Sequence, residues 1–277
     1  MVPDIPEIDW ARPWYDAVRP AWDSVRSSGA AGAGFIDAFN ANAARLGLVN
    51  HRGLPLRFVP QDALPAGTAY EAFIGATGGV PTRDNLHYFF NGLVWQTFPR
   101  IKRALNALQA AQIAQAGVGK SRGPARDAAT LFDENAALLI VRDGDAGRAL
   151  AEGLRAHQWH DVLYSRRDQF VKDAQVWLFG HALMEKLVAP RKAITAHTRV
   201  LFAGDAWFAL PWQARRDWID ITLAGSLAAD GLTTAGFTPL QVLGVPGWWP
   251  EQDEAFYLDE TVFRPKRPPE PDYKETV

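Results

Sequence analysis

The chain has 277 residues, 48% of them hydrophobic and 22% charged, an ordinary globular usage that excludes global disorder. A net charge of −2 provides no long-range field toward nucleic acid or an anionic membrane. The absence of cysteine excludes disulfides, thiolate metal sites, iron–sulfur clusters and a cysteine nucleophile, and it fits a cytoplasmic location.

Residues 1–13 read as an extended, proline-bearing arm, without the basic start and apolar stretch of a secretory signal. Trp14 to Arg26 is a helix begun or interrupted at Pro20. Ser27–Gly34 is a small-residue linker. Phe35, Ile36, Phe39, Ala43 and Leu46 recur at helical spacing, and Gly47 ends that helix. Asn50–Gly67 is loop, with one short strand at Leu56–Val59 punctuated by prolines. Ala69–Ile74 is a short helix, closed by Gly78-Gly79-Val80-Pro81.

The strongest periodic segment follows. Leu86, Phe89, Phe90, Leu93, Val94 and Phe98 predict a helix capped by Thr82 or Asp84, and Pro99 kinks or restarts it. Ile101, Leu105 and Leu108 continue an apolar face, while Arg100, Lys102 and Arg103 form a basic rim. Gly117–Arg126 is a basic loop, Asp127–Leu131 a helical turn, and Asp133-Glu134-Asn135 an acidic corner. Ala137–Val141 is a buried strand and Ala146–Ala156 a helix. Gln158–Phe170 is helical in part. Gln175–Phe179 is a second strand, and Gly180-His181 opens a helix through Val188. Arg199–Phe202 is a strand candidate and Trp212–Ala229 a clear helix. From Thr238 the chain is irregular, and residues 266–277 are a charged, proline-rich disordered tail. The longest aliphatic run, Ala136–Val141, is far below the roughly 18 residues of a membrane helix. The pattern predicts one α+β domain over residues 1–265, predominantly helical with a small sheet of two to four short strands.

Familiar motifs fail on spacing. Gly119-Lys120-Ser121 lacks the first glycine of a phosphate loop, because position 114 is Ala114. Gly32-Ala33-Gly34 lacks the third glycine of a dinucleotide fingerprint. What stands out is a set of polar residues in apolar company. With Leu86 at zero on a helical wheel, His87 falls at about 100° and Asn91 at about 140°, on the margin of the apolar arc. Buried there, both need partners. Either they are structural groups satisfied by neighbours, or their stripe faces a cleft. His181 and Glu185 share a helix face just after a strand, where ligands gather in α/β packing. Lys192 and His197 follow in one short stretch. If the two strands pair, the Asp133-Glu134 corner lies near His181. Carboxylates beside imidazoles make an acid–base pair or bind a divalent metal.

The strings V-P-T-R-D-N-L-H-Y-F-F-N-G-L-V-W-Q-T-F-P-R-I-K, R-D-A-A-T-L-F-D-E-N-A-A, L-F-G-H-A-L-M-E-K-L, K-A-I-T-A-H and P-L-Q-V-L-G-V-P-G-W-W span most of residues 58–265. On them the chain resembles domain-of-unknown-function family 3025, a mainly proteobacterial family. The resemblance implies a bacterial cytoplasmic protein and carries over no activity, ligand or catalytic residue. From the residues alone, the leading expectation is a hydrolase or nuclease-like enzyme. It would use His87, Asp133, Glu134, Glu185, His181 and His197 as acid–base groups or metal ligands, with Asn91 and Lys192 orienting substrate. The alternative is a non-catalytic binding or scaffold protein. Its aromatic surfaces and the basic residues Arg100, Lys102, Arg103, Lys120, Arg122 and Arg126 would contact a protein or nucleic-acid partner.

Overall fold

A computed structural model describes residues 7–28, 34–116 and 123–266. The expected C-terminal tail beyond Lys266, the first six residues of the arm, the middle of the small-residue linker and most of the basic loop lie outside those residues. In chain order the main elements begin with α1 (Arg19–Ser28), α2 (Phe35–Arg45), β1 (Arg57–Pro60), α3 (Tyr70–Thr77), β2 (Gly79–Thr82), α4 (Leu86–Thr97), α5 (Pro99–Ala116) and α6 (Gly123–Asn135). They continue with β3 (Ala136–Arg142), α7 (Asp145–Arg155), α8 (Arg167–Asp173), β4 (Ala174–Leu178), α9 (His181–Lys186) and β5 (Thr195–Ala203). The last are α10 (Asp205–Ala209), α11 (Trp212–Asp230), β6 (Thr238–Gln241) and α12 (Glu254–Tyr257). The fold is α+β and predominantly helical.

The strands form two sheets. β1 and β2 make a parallel pair, and a mixed four-stranded sheet has the order β4-β3-β5-β6. Its centre is β3, whose aliphatic residues from Ala136 to Val141 are all buried. β3 runs antiparallel to β4, with Ala137 opposite Leu178, and parallel to β5, with Ala136 opposite His197. This register brings the start of β3 and the end of β4 to one edge of the sheet.

Several elements differ from the sequence reading. β2 and β6 read as closing loop and irregular chain, because each is four residues long and contains a proline. The acidic corner at Asp133 is the last turn of a continuous helix, α6, which covers the segment expected to be a loop, a short turn and a corner. Within the N-terminal arm the chain turns at Trp10–Ala11 into a short 3-10 helix at Pro13–Tyr15, Ile8 is buried and Trp10 stacks on Trp22 at 5.5 Å.

Helix ends fix how the central helices enter the core. Asn85, not Thr82 or Asp84, caps α4, its side-chain oxygen accepting from the Tyr88 N–H at 3.1 Å. Phe98 leaves helical geometry (φ −126°, ψ 60°), so Pro99 restarts the chain as α5. Asp220 of α11 then accepts from the N–H groups of Arg100 and Ile101 at 2.9–3.1 Å, filling the role a local cap would serve. The break turns α5 so that it packs against α3, α4, α6 and α11.

Candidate functional site

A cleft of about 460 Å³ opens where α3, α4, α5, α6 and α9 meet. Each helix supplies one stripe. α3 gives Tyr70 and Glu71, α4 gives His87, Tyr88 and Asn91, and α9 gives its first residue, His181. α6 lays Arg126, Thr130, Asp133 and Glu134 along one face, at the four- and three-residue steps a helix face requires.

The sheet register positions His181. The Phe179 and Gly180 N–H groups both donate to the Ala136 carbonyl, at 3.1 and 2.8 Å. A Cβ on Gly180 would lie 2.5 Å from the Glu134 carbonyl and 2.6 Å from the Ala136 nitrogen. Only glycine lets the end of β4 approach the α6–β3 junction this closely. Thus His181, just after β4, meets Asp133, just before β3.

At the floor of the cleft, Lys102 is 4% exposed. Its ammonium donates to both oxygens of Asp133, at 2.6 and 2.8 Å, and to Asn91 Oδ1 at 2.9 Å, which uses all three N–H bonds. Asn91 in turn donates to the Tyr70 hydroxyl at 3.1 Å. The basic rim expected at Arg100, Lys102 and Arg103 is therefore split. Lys102 falls one turn after Phe98 and three residues before Leu105, on the buried stripe. Arg100 and Arg103 line a separate groove with His51. Arg126 faces the cleft, and Lys120 and Arg122 lie outside the described residues.

Electrostatics separate the groups. Burial opposes ionisation of Asp133, but the charge and hydrogen bonds of the Lys102 ammonium outweigh it, so its carboxyl lies below the usual range. Burial pushes Glu71 upward against the pull of Lys102, and pushes the Tyr70 hydroxyl well above its usual value. Burial also holds the His181 imidazole down to about 3, with the Asp133 carboxylate opposing and the Lys102 ammonium assisting. His181 is therefore neutral at neutral pH.

The two histidines contact each other. Their rings lie 4.4 Å apart, edge to face, with Nε2 to Nε2 at 3.1 Å, and His87 Nδ1 is 3.2 Å from Glu185 Oε2. When His87 is neutral it carries its proton on Nδ1, because a carboxylate only accepts, and it receives the His181 Nε2–H on Nε2. This leaves His181 Nδ1 as a bare lone pair. It is buried beside the Asp133 backbone, makes no hydrogen bond of good geometry among the described residues, and lies 3.9 Å from Asp133 Oδ2.

Of the eight residues expected to form a site, His87, Asn91, Asp133, Glu134 and His181 line this cleft, and Glu185 joins them through His87. Lys192 and His197 do not. Lys192 lies in the turn before β5, pairs with Asp259 at 2.7 Å and sits over the Phe256 ring. His197 lies on β5 against Phe237, where partial burial lowers its pKa. Lys102, Tyr70, Glu71 and Arg126 are additions. Lys102 alone had a readable signal, its spacing from Phe98 and Leu105. No group of three or more His, Asp and Glu among the described residues forms a metal-ligand set. Lys102 already occupies both oxygens of Asp133, and the two histidines point their Nε2 atoms at each other, so the donors do not fit the expected divalent metal.

A family model described as "Protein of unknown function (DUF3025)" matches residues 56–267, and the chain belongs to that family. The match covers every element that lines the cleft. No curated protein and no solved structure matches the chain.

Proposed function

We propose that this cleft is the active site of a hydrolase that activates water through the His181–His87 pair without a metal. The observation that carries the reading is the bare Nδ1 of buried His181, 3.9 Å from Asp133 Oδ2. A water hydrogen-bonded to both atoms would be held by a base on one side and a carboxylate on the other. A ring with a pKa of about 3 is by itself a weak base. The second imidazole offsets this. As Nδ1 of His181 takes a proton from water, its Nε2 proton passes to His87 Nε2. His181 ends neutral, and the positive charge rests on His87, half exposed and beside Glu185. The buried ring never stores the charge, so the desolvation that depresses it does not oppose the overall transfer. Lys102 keeps Asp133 ionised and fixed, and Asn91 and Tyr70 hold Lys102 from the other side.

The size of the cleft suits a small polar substrate better than a nucleic-acid strand. A bacterial cytoplasmic setting accords with the family resemblance and the lack of cysteine. The non-catalytic alternative has its own support in a second groove of about 450 Å³, lined by Trp177, Trp212, Trp248 and Phe208.

The test is turnover of a panel of activated esters, amides and phosphodiesters, with and without EDTA. Turnover insensitive to EDTA is expected, falling about 10²–10⁴-fold in His181→Gln and less in Glu185→Gln. Absence of turnover across the panel, or turnover that survives His181→Gln, would overturn the reading and favour the binding protein.

A further inference from the structure

We propose that Arg126 forms an oxyanion-binding subsite at the far end of this cleft, so that the substrate carries a carboxylate or phosphate remote from the reacting bond. The substrate assignment rests on the hydrolase reading above; the anion site itself does not.

Arg126 lies in the first turns of α6 and lines the cleft as well as a smaller pocket behind it. Its Nε and Nη1 atoms are buried and have no hydrogen-bond partner among the described residues. A guanidinium cannot shed its charge at any working pH, so it cannot relieve burial by deprotonation. Buried N–H donors on a permanent cation cost free energy unless an acceptor meets them, and the strongest acceptors are oxyanions. Arg216 of α11 also leaves its Nε unpaired, but its two other nitrogens donate to the Thr97 carbonyl and pair with Asp217. Arg126 has no such contact with the carboxylates of the cleft. Asp133 is taken by Lys102, Glu71 accepts from Asn106 at 2.6 Å, and Glu134 is two turns further along α6.

The neighbours suit an anion. Thr130 lies one turn along α6 from Arg126, and Gln109 of α5 lines the same end of the cleft. Both offer donors without adding negative charge. The backbone separation follows from helix geometry. Arg126 and Asp133 are seven residues apart on one helix, which at 1.5 Å per residue is about 10 Å. A substrate anchored at Arg126 would therefore span the cleft to reach the His181–Asp133 gap. Carboxylate and phosphate share the chemistry, and the experiment separates them.

Protein labelled with 15N-arginine is titrated in two arms, with sodium acetate and with inorganic phosphate, at constant ionic strength. One Nε–Hε resonance, identified by its loss in Arg126→Lys, is expected to shift saturably in at least one arm; the tighter arm names the anion. Binding followed by isothermal titration calorimetry should weaken about tenfold or more in Arg126→Gln, since a charge-assisted hydrogen bond is lost. Arg126→Lys should keep part of the affinity. A melting curve confirms that both variants fold. Binding should survive His181→Gln, which removes turnover only. No saturable shift with either anion, or equal affinity in Arg126→Gln, overturns the anion site and leaves the hydrolase reading standing. Saturable binding with no turnover on any substrate keeps the anion site and removes the hydrolase reading.

Discussion

Truncating Lys102 would leave Asp133 buried with no cation on its oxygens, and that cost exceeds anything the pair gains over a neutral core. Lys102→Met is expected to destabilise the protein by about 3–5 kcal/mol, read from urea unfolding. Lys102→Met combined with Asp133→Leu should recover much of that loss, because both desolvated charges then disappear. Neighbouring titrations fix the sign of the acid response. Unfolded His181 binds a proton near its ordinary value of 6.5, whereas folded His181 does so only near 3. Stability from this group is therefore complete above about pH 6.5 and lost as pH falls through that window. Asp133, depressed when folded, adds a further loss as pH falls below about 4. Against wild type, His181→Gln should lose about 2 kcal/mol less between pH 6.5 and 5, measured as urea midpoints at the two pH values. Identical pH slopes in the two proteins would show that His181 is not buried neutral.

Where the chain breaks between α4 and α5, a carboxylate of α11 caps the first turn of α5. Asp220 is 2% exposed, and burial raises its pKa to about 6 despite the two N–H groups it accepts. A raised folded pKa reverses the sign: stability from Asp220 is complete below about pH 4 and is lost as pH rises through 6. Asp220→Asn keeps an acceptor for Arg100 and Ile101 and removes the buried charge. It should be at least as stable as wild type at pH 8, and less so relative to wild type at pH 4.5, by thermal melts at both. At the other junction, Gly180→Ala should cost about 1–3 kcal/mol, because its Cβ meets backbone that cannot yield cheaply. Turnover should fall further than stability alone requires, since the same displacement moves His181 off Asp133. The two outcomes separate in an activity assay run well below the melting temperature.

Across the molecule, what could be read in advance follows from how locally each feature is encoded. The aliphatic runs of β3 and β4 and the periodicity of α4 and α11 are properties of single segments, and each element is found there. Pairing of β3 with β4 brings Asp133 to His181, and the helical wheel of α4 alone puts His87 on its inner margin. The strands β2 and β6 are supported by partners across the sheet, not by their own residues, and each contains a proline. Lys102 reads as part of a solvated rim because it sits among other charges, although its spacing from Phe98 places it inside. Lys192 and His197 were grouped with His181 by proximity in the chain, but a strand carries them away from the cleft.

The close approach at Gly180 also bears on folding fidelity. The register that sets Asp133 against His181 is that of β3 with β4, a ladder five residues long. A slip of one residue along that ladder would shift the partners by about 3.4 Å and turn alternate side chains to the opposite face. Such a chain would remain folded yet hold the imidazole away from the carboxylate. The Gly180 contact opposes this, because only one register lets a residue without a side chain rest on the Glu134 carbonyl. Refolded preparations carrying Gly180→Ala are therefore where soluble, inactive misregistered molecules should accumulate.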